Sequence, residues 1–176
     1  MAAAEPDTFV LGIDADAGAM AESSRRADRH ATRGGVANSC FVASGVELLS
    51  ADLNGLADRV TIRFPWGSLL RGALGVDREV AASIAALVAQ GGRLEVTLSL
   101  VGRDRNGAGI GDFGEADLDR MTAVHGSLGL DRIEARRLAP DEVSAMRSSW
   151  ARRLRAGRDR PVWLVSFVRR GQRPVG

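Results

Sequence analysis

The feature that most restricts the fold of this chain is an alternation of short apolar runs with stretches of helical periodicity. "TFVLGID" (8–14) reads as a buried strand. "SCFVAS" (39–44), "RVTIRF" (59–64), "RLEVTLSL" (93–100), "RIEARRL" (132–138) and "PVWLVSFVRR" (161–170) read as five more strands. Helical patterns lie between them. "AGAMAESSRRADRH" is one, and "DREVAASIAALVAQGG" is a second, with Asp77 at its N-terminal end and Gly91-Gly92 at its stop. "FGEADLDRMTAVHGSLG" is a third, and "APDEVSAMRSSWARRLRAG" carries a fourth. Strands alternating with helices imply βαβ units and a mostly parallel α/β sheet. Neither a repeat nor a linker interrupts the pattern, so residues 1–176 are expected to form a single domain.

Several classes are set aside by what the chain lacks. It has no run near the roughly twenty apolar residues of a membrane helix, and no basic-then-apolar leader. A single cysteine, Cys40, excludes an internal disulfide and suits a reducing compartment, so a cytoplasmic protein with no membrane or metal partner is expected. All 24 basic residues are arginine, while the formal net charge is only +2. They cluster: Arg25, Arg26, Arg29 and Arg33; then Arg147, Arg152, Arg153, Arg155, Arg158 and Arg160; then Arg169, Arg170 and Arg173. Such clusters track phosphates or form solvated helix faces, and their positions alone do not choose between the two.

In parallel sheets ligands bind outside the carboxyl ends of the strands, so the strand tips are the place to search. The first strand ends in Asp14, a position where a carboxylate can accept hydrogen bonds from ribose hydroxyls; the competing reading is a helix N-cap, which Asp16 could equally supply. The second ends near Ser44, with Glu47 shortly after. The third ends in Pro65-Trp66, where the largest side chain sits at a turn with no sequence neighbours to bury it. It is either a stacking platform or a rim residue plugging the sheet. Two further features carry less. The glycine-rich "NGAGIGDFG" (106–114) neither follows a strand directly nor keeps the spacing of a phosphate loop, and reads as a loop between strand and helix. His30 and His125 lie on helical segments without partners and are expected at the surface, and Trp163 is expected in the core.

At "FPWGSLLRGALG" the sequence resembles the 16S rRNA (adenine(1408)-N(1))-methyltransferases of kanamycin and apramycin resistance, and "LGIDAD", "GVELL" and "SSWARRLRAGRDR" match in the same order. The resemblance implies a class I S-adenosylmethionine-dependent methyltransferase, a Rossmann-like sheet with strand order 3-2-1-4-5-7-6. It also implies a monomer that takes 16S rRNA in the 30S subunit as substrate and S-adenosylmethionine as cofactor. By position, Asp14 matches the carboxylate on the cofactor's ribose, and Val46 and Glu47 the segment bordering its adenine. Phe64 and Pro65 fall beside that pocket. Trp66 and Trp150 match two aromatics that sandwich the flipped target adenine, with Ser148 positioning the second. Arg153 and Arg158 match arginines on the rRNA backbone, and Arg25, Arg26 and Arg29 a basic linker.

The departure from that family is at the start. Its members carry a first strand and a glycine-rich turn ahead of the segment matching "TFVLGID", whereas this chain opens "MAAAEPDT". The sheet is therefore expected to be N-terminally truncated, without its central first strand. Two outcomes are expected to compete. Either translation starts upstream and the enzyme is complete, or this is a fragment that folds poorly or pairs strands 2 and 4 directly, for which the alternative function is a catalytically inactive, RNA-binding remnant.

Overall fold

The computed structural model describes residues 2–100, 113–146 and 161–171. The chain divides into two compact units, Met1–Leu49 and Ser50–Gly176.

In the first unit, β1 (Val10–Asp14) and β2 (Ser39–Ala43) pair in parallel from Val10↔Ser39 to Asp14↔Ala43. Helix α1 (Ala17–Ala27) crosses between them and packs on both strands. Asp16 settles the capping question, since its carboxylate accepts the Ala19 N–H at 3.0 Å. The segment ahead of β1 is gathered by Asn38, whose amide donates to the carbonyls of Thr8 (2.7 Å) and Glu5 (3.0 Å). None of the described residues in this unit is fully buried, including the apolar positions of β1. That corrects the reading of residues 8–14 as a buried strand. Within this unit two strands carry one helix, which is too little cover to remove both faces from water.

The second unit holds a four-stranded mixed sheet in the order β3-β4-β6-β5, built from β3 (Ala57–Arg63), β4 (Val88–Leu98), β5 (Leu130–Arg137) and β6 (Trp163–Arg169). β3 and β4 run parallel, while β6 is antiparallel to both β4 and β5. Among the described residues four helices accompany the sheet: α2 (Gly67–Ala73), α3 (Arg78–Leu87), α4 (Glu115–Ser127) and α5 (Pro140–Ala145). Leu94, Val96, Leu98, Val165 and Phe167 of the sheet, Leu70, Leu74, Val80 and Ile84 of the α2–α3 stretch, and Met121 of α4 form the core. Two glycines let the helices close up. A Cβ on Gly72 would lie 2.4 Å from a Val80 methyl, and one on Gly75 would lie 2.9 Å from the Val124 Cβ.

With strand 1 left out, the order expected from the resemblance breaks into 3-2 and 4-5-7-6. The two sheets have those neighbours, so the α/β Rossmann-like class is as expected. Among the described residues β1 pairs with β2 in one sheet, and β3 with β4 in the other. One boundary differs. "VAQGG" belongs to β4 rather than to the preceding helix, because α3 stops at Leu87 and Val88 already pairs with Ala57.

Candidate functional site

Each unit presents a strand edge with chemistry on it. In the first, Asp14 ends β1 with its side chain exposed, and its Oδ1 accepts the Asp16 N–H at 2.9 Å. A carboxylate has about four acceptor positions, so this bond leaves capacity for a diol. Next to it the chain leaves β2: the Ser44 N–H donates to the Asp14 carbonyl at 3.0 Å, and Val46–Leu48 form a single 3-10 turn. The Glu47 carboxylate folds back over Gly45, where an added Cβ would meet it at 3.0 Å. Asp14, Val46 and Glu47 are therefore brought to one edge by the parallel pairing of β1 with β2.

In the second unit the edge is the end of β3. Phe64 follows the strand in a left-handed conformation, φ 50, while its N–H donates to the Thr97 carbonyl at 2.7 Å. Its ring is buried with Leu138, Val143 and Val162, and Met146 and Leu164 pack against that cluster. Pro65 is buried too. The Phe64 side chain is thus committed to the core, and what it can offer a ligand is backbone. One residue on, Trp66 emerges with 47% of its surface exposed and opens α2 as its N-cap residue. The turn expected at Trp66 leads straight into this helix, and no helix was expected over 67–73. The spacing of Leu70, Ala73 and Leu74, all buried, is the signal that marks it.

Ser148, Trp150, Arg153 and Arg158 lie outside the described residues. The chain reaches them from α5, whose end is fastened to the cluster around Phe64 by Val143 and Met146. α5 is itself held by Glu142, which accepts the Ala139 N–H at 2.8 Å and a two-pronged bond from Arg136, both contacts at 2.8 Å. Those contacts, Arg136 first, lower the Glu142 carboxyl to about 2.

Arg25 and Arg26 occupy the last turn of α1, and Arg29 follows its C-cap; all three are exposed. Arg26 faces Glu22 at 3.9 Å. Basic residues in a last helical turn also favour the helix dipole, so their placement fits a solvated face as readily as an RNA contact. The loop 106–114 lies outside the described residues up to 112; Gly114 caps α4.

The two histidines part company. His30 is exposed and bonds Thr32 through Nδ1 at 3.0 Å. His125 is fully buried, contrary to expectation, with Nε2 at 2.9 Å from the Ala73 carbonyl and its ring 5.0 Å from that of Phe167. Met121, Val124 and His125 share the buried face of α4 at helical spacing, and that pattern was the available signal. Trp163 packs edge-on against Phe113 with centroids 5.4 Å apart and lies under the Arg137 guanidinium at 5.2 Å.

The sequence and fold have counterparts among known proteins. The family model for 16S rRNA (adenine(1408)-N(1))-methyltransferase matches residues 1–169. The enzyme of that name from Streptoalloteichus tenebrarius is 31% identical over 159 residues, spanning 88% of this chain and 73% of its own. A tryptophan mutant of the Catenulisporales acidiphilia 16S rRNA (adenine(1408)-N(1))-methyltransferase, solved with cosubstrate SAM, superposes with a TM-score of 0.83 at 27% identity, covering 99% of this chain and 80% of that one. The 16S rRNA methyltransferase KamB gives a TM-score of 0.83 at 29% identity, covering 96% and 80%.

Proposed function

The chain belongs to the 16S rRNA (adenine(1408)-N(1))-methyltransferase family, and from that premise we propose how its own residues serve the reaction. The protein is an S-adenosylmethionine-dependent enzyme that methylates N1 of the decoding-site adenine of 16S rRNA, a modification that gives aminoglycoside resistance. We read residues 1–176 as one methyltransferase domain acting as a monomer on the 30S subunit in the cytoplasm.

When bound, S-adenosylmethionine supplies a methyl group on a positively charged sulfur. The N1 lone pair of neutral adenine forms the new N–CH3 bond as the CH3–S bond breaks. The bonding pair leaves with sulfur as a neutral thioether, and the positive charge passes to the adenine. A lone pair that attacks directly needs no general base, so the work of the protein is positioning and electrostatics.

The edge of the first unit suits the cofactor. Asp14 takes the ribose hydroxyls on the acceptor positions that Asp16 leaves, and Val46 and Glu47 border the adenine. Phe64 and Pro65 contribute backbone at the end of β3. Trp66 and Trp150 hold the flipped target adenine between two rings, with Ser148 steadying the second, and the stacked base returns about 1–3 kcal/mol against the cost of unstacking. Arg25, Arg26, Arg29, Arg153 and Arg158 meet the rRNA backbone. The observation that carries this reading is the half-exposed Trp66 at the tip of β3, on a backbone that buries the residues before it.

The test pairs calorimetry with transfer of labelled methyl. The protein should bind S-adenosylmethionine and label 30S subunits. A protein that associates with 30S in a salt-sensitive way but neither binds the cofactor nor labels RNA would be the RNA-binding remnant instead.

A further inference from the structure

Helix α2 begins at Trp66, and its other end is held from outside by side chains of α4. Its last carbonyls can be accounted for one by one. Leu70 accepts from the Leu74 N–H at 3.0 Å, Arg71 from Val76 at 2.8 Å, and Gly72 from Gly75 at 2.9 Å. The two that remain are Ala73 and Leu74, both without solvent exposure. Ala73 receives His125 Nε2 at 2.9 Å, and Leu74 receives Arg120 Nε at 3.1 Å. Arg120 is itself ion-paired with Asp117 one turn earlier on α4.

A carbonyl can only accept, so Nε2 of His125 carries a proton. Its Nδ1 is buried with no partner among the described residues. A second proton there would be a buried, unpaired charge, and burial does hold the imidazole below its ordinary range. His125 therefore neither shuttles protons nor touches solvent. What the histidine adds at this buried position is one fixed donor.

At the other end, the Trp66 carbonyl accepts the Leu70 N–H at 3.3 Å, so the Trp66 backbone is part of the α2 ladder. Seven residues of helix span about 10 Å. A rod that short transmits a shift at one end to the other. We propose that His125, with Arg120 beside it, is a positioning residue that sets where the Trp66 ring stands by clamping the far end of α2. This rests on the reading of Trp66 as the platform for the target base.

The test compares H125L, H125Q, R120M and W66A in methyl transfer to 30S subunits, with cofactor affinity measured by calorimetry and rates normalised to the folded fraction. H125L removes the donor and should lower kcat about 10- to 100-fold, the scale expected for a displaced contact, with cofactor affinity and KM for 30S unchanged. H125Q restores a donor at a similar reach and should recover most of the rate. R120M should show a smaller fall of the same kind, and it carries the test should H125L fail to fold. Folded H125L or R120M turning over at the parental rate, or losing cofactor affinity in step with kcat, would overturn the clamp while leaving Trp66 in its place. Full methyl transfer by W66A would overturn the reading of Trp66 and the clamp with it.

Discussion

The Phe64 N–H donates to the Thr97 carbonyl at 2.7 Å, one step past the final ladder pair of β3 and β4, Arg63↔Thr97. The strand is thus held up to the residue at which the backbone turns left-handed, and Trp66 leaves the sheet two residues later. A bulky residue at positive φ is strained by about 1–3 kcal/mol and persists only where packing fixes it. Here the packing is the cluster with Leu138, Val143 and Val162.

Replacing Phe64 by alanine or glycine should destabilise the protein, on the order of 3–5 kcal/mol for the lost ring in the alanine variant. The order of the two variants is the informative part. Glycine normally costs more than alanine, but at φ 50 it escapes the left-handed penalty of about 1–2 kcal/mol. F64G should therefore melt above F64A in thermal denaturation, and the reverse order would contradict the left-handed backbone.

Trp66→Ala should abolish methyl transfer while shifting the melting temperature little, because the side chain is half exposed. Cofactor affinity by calorimetry should be nearly intact. A W66A protein that loses cofactor binding would place the indole in the structure rather than against the base.

Two neighbouring carboxylates should separate cleanly. Asp16 caps α1 and Asp14 does not. Asp14→Ala should weaken S-adenosylmethionine binding by about 10- to 100-fold, the loss of a charge-assisted bond of roughly 1.5–3 kcal/mol. Asp16→Ala should instead cost about 1 kcal/mol of stability, with a smaller effect on affinity. Titrating both variants with the cofactor checks the contrast.

Stability should fall on acidification in two steps. His125 is depressed in the fold, so the unfolded chain binds the extra proton first; its contribution is complete above about 6.5 and is lost as the pH falls below that. Glu142 is depressed to about 2, so its contribution is present above its ordinary value of 4.5 and fades as the pH falls from there towards 2. Denaturant melts across pH should show the upper step missing in H125Q and the lower one reduced in E142Q, where Asp131, also held below its ordinary range by its bonds to Arg170, still contributes.

The first unit has no fully buried residue among those described, whereas β4 and β6 lie in the core of the second. Amide hydrogens of β1 and β2 should exchange faster than those of Leu94, Val96, Val165 and Phe167. Equal protection would contradict the shallow burial of the first sheet.

Much of this was legible in the residues. Five of the six strands seen among the described residues stand on apolar runs, because a run of that length with β-branched residues has few other uses, while β5 is mostly charged and exposed; Asp77 caps α3 as its position suggested, accepting the Val80 N–H at 3.2 Å. Helix α2 was hidden because seven residues with two glycines carry a weak periodic signal. His125 was misplaced because a single polar residue on an apolar helix face is ambiguous until its acceptor, the Ala73 carbonyl 52 residues away, is known. Phe64 was legible as part of the Trp66 motif but not as a core residue, since its burial is supplied by Leu138, Val143 and Val162 from far along the chain. Of the candidate site, Asp14 and Glu47 were legible as residues at strand tips, while Val46 rests on the resemblance. The partner ring, Trp150, rests on the resemblance.

The central claim is that this chain methylates N1 of the decoding-site adenine. A methyl group at N1 blocks Watson–Crick pairing, so reverse transcription across the RNA of treated 30S subunits reads it directly. The account predicts a stop at that adenine that needs both protein and S-adenosylmethionine and disappears with W66A and W150A. Unbroken read-through with folded, cofactor-binding protein would contradict it.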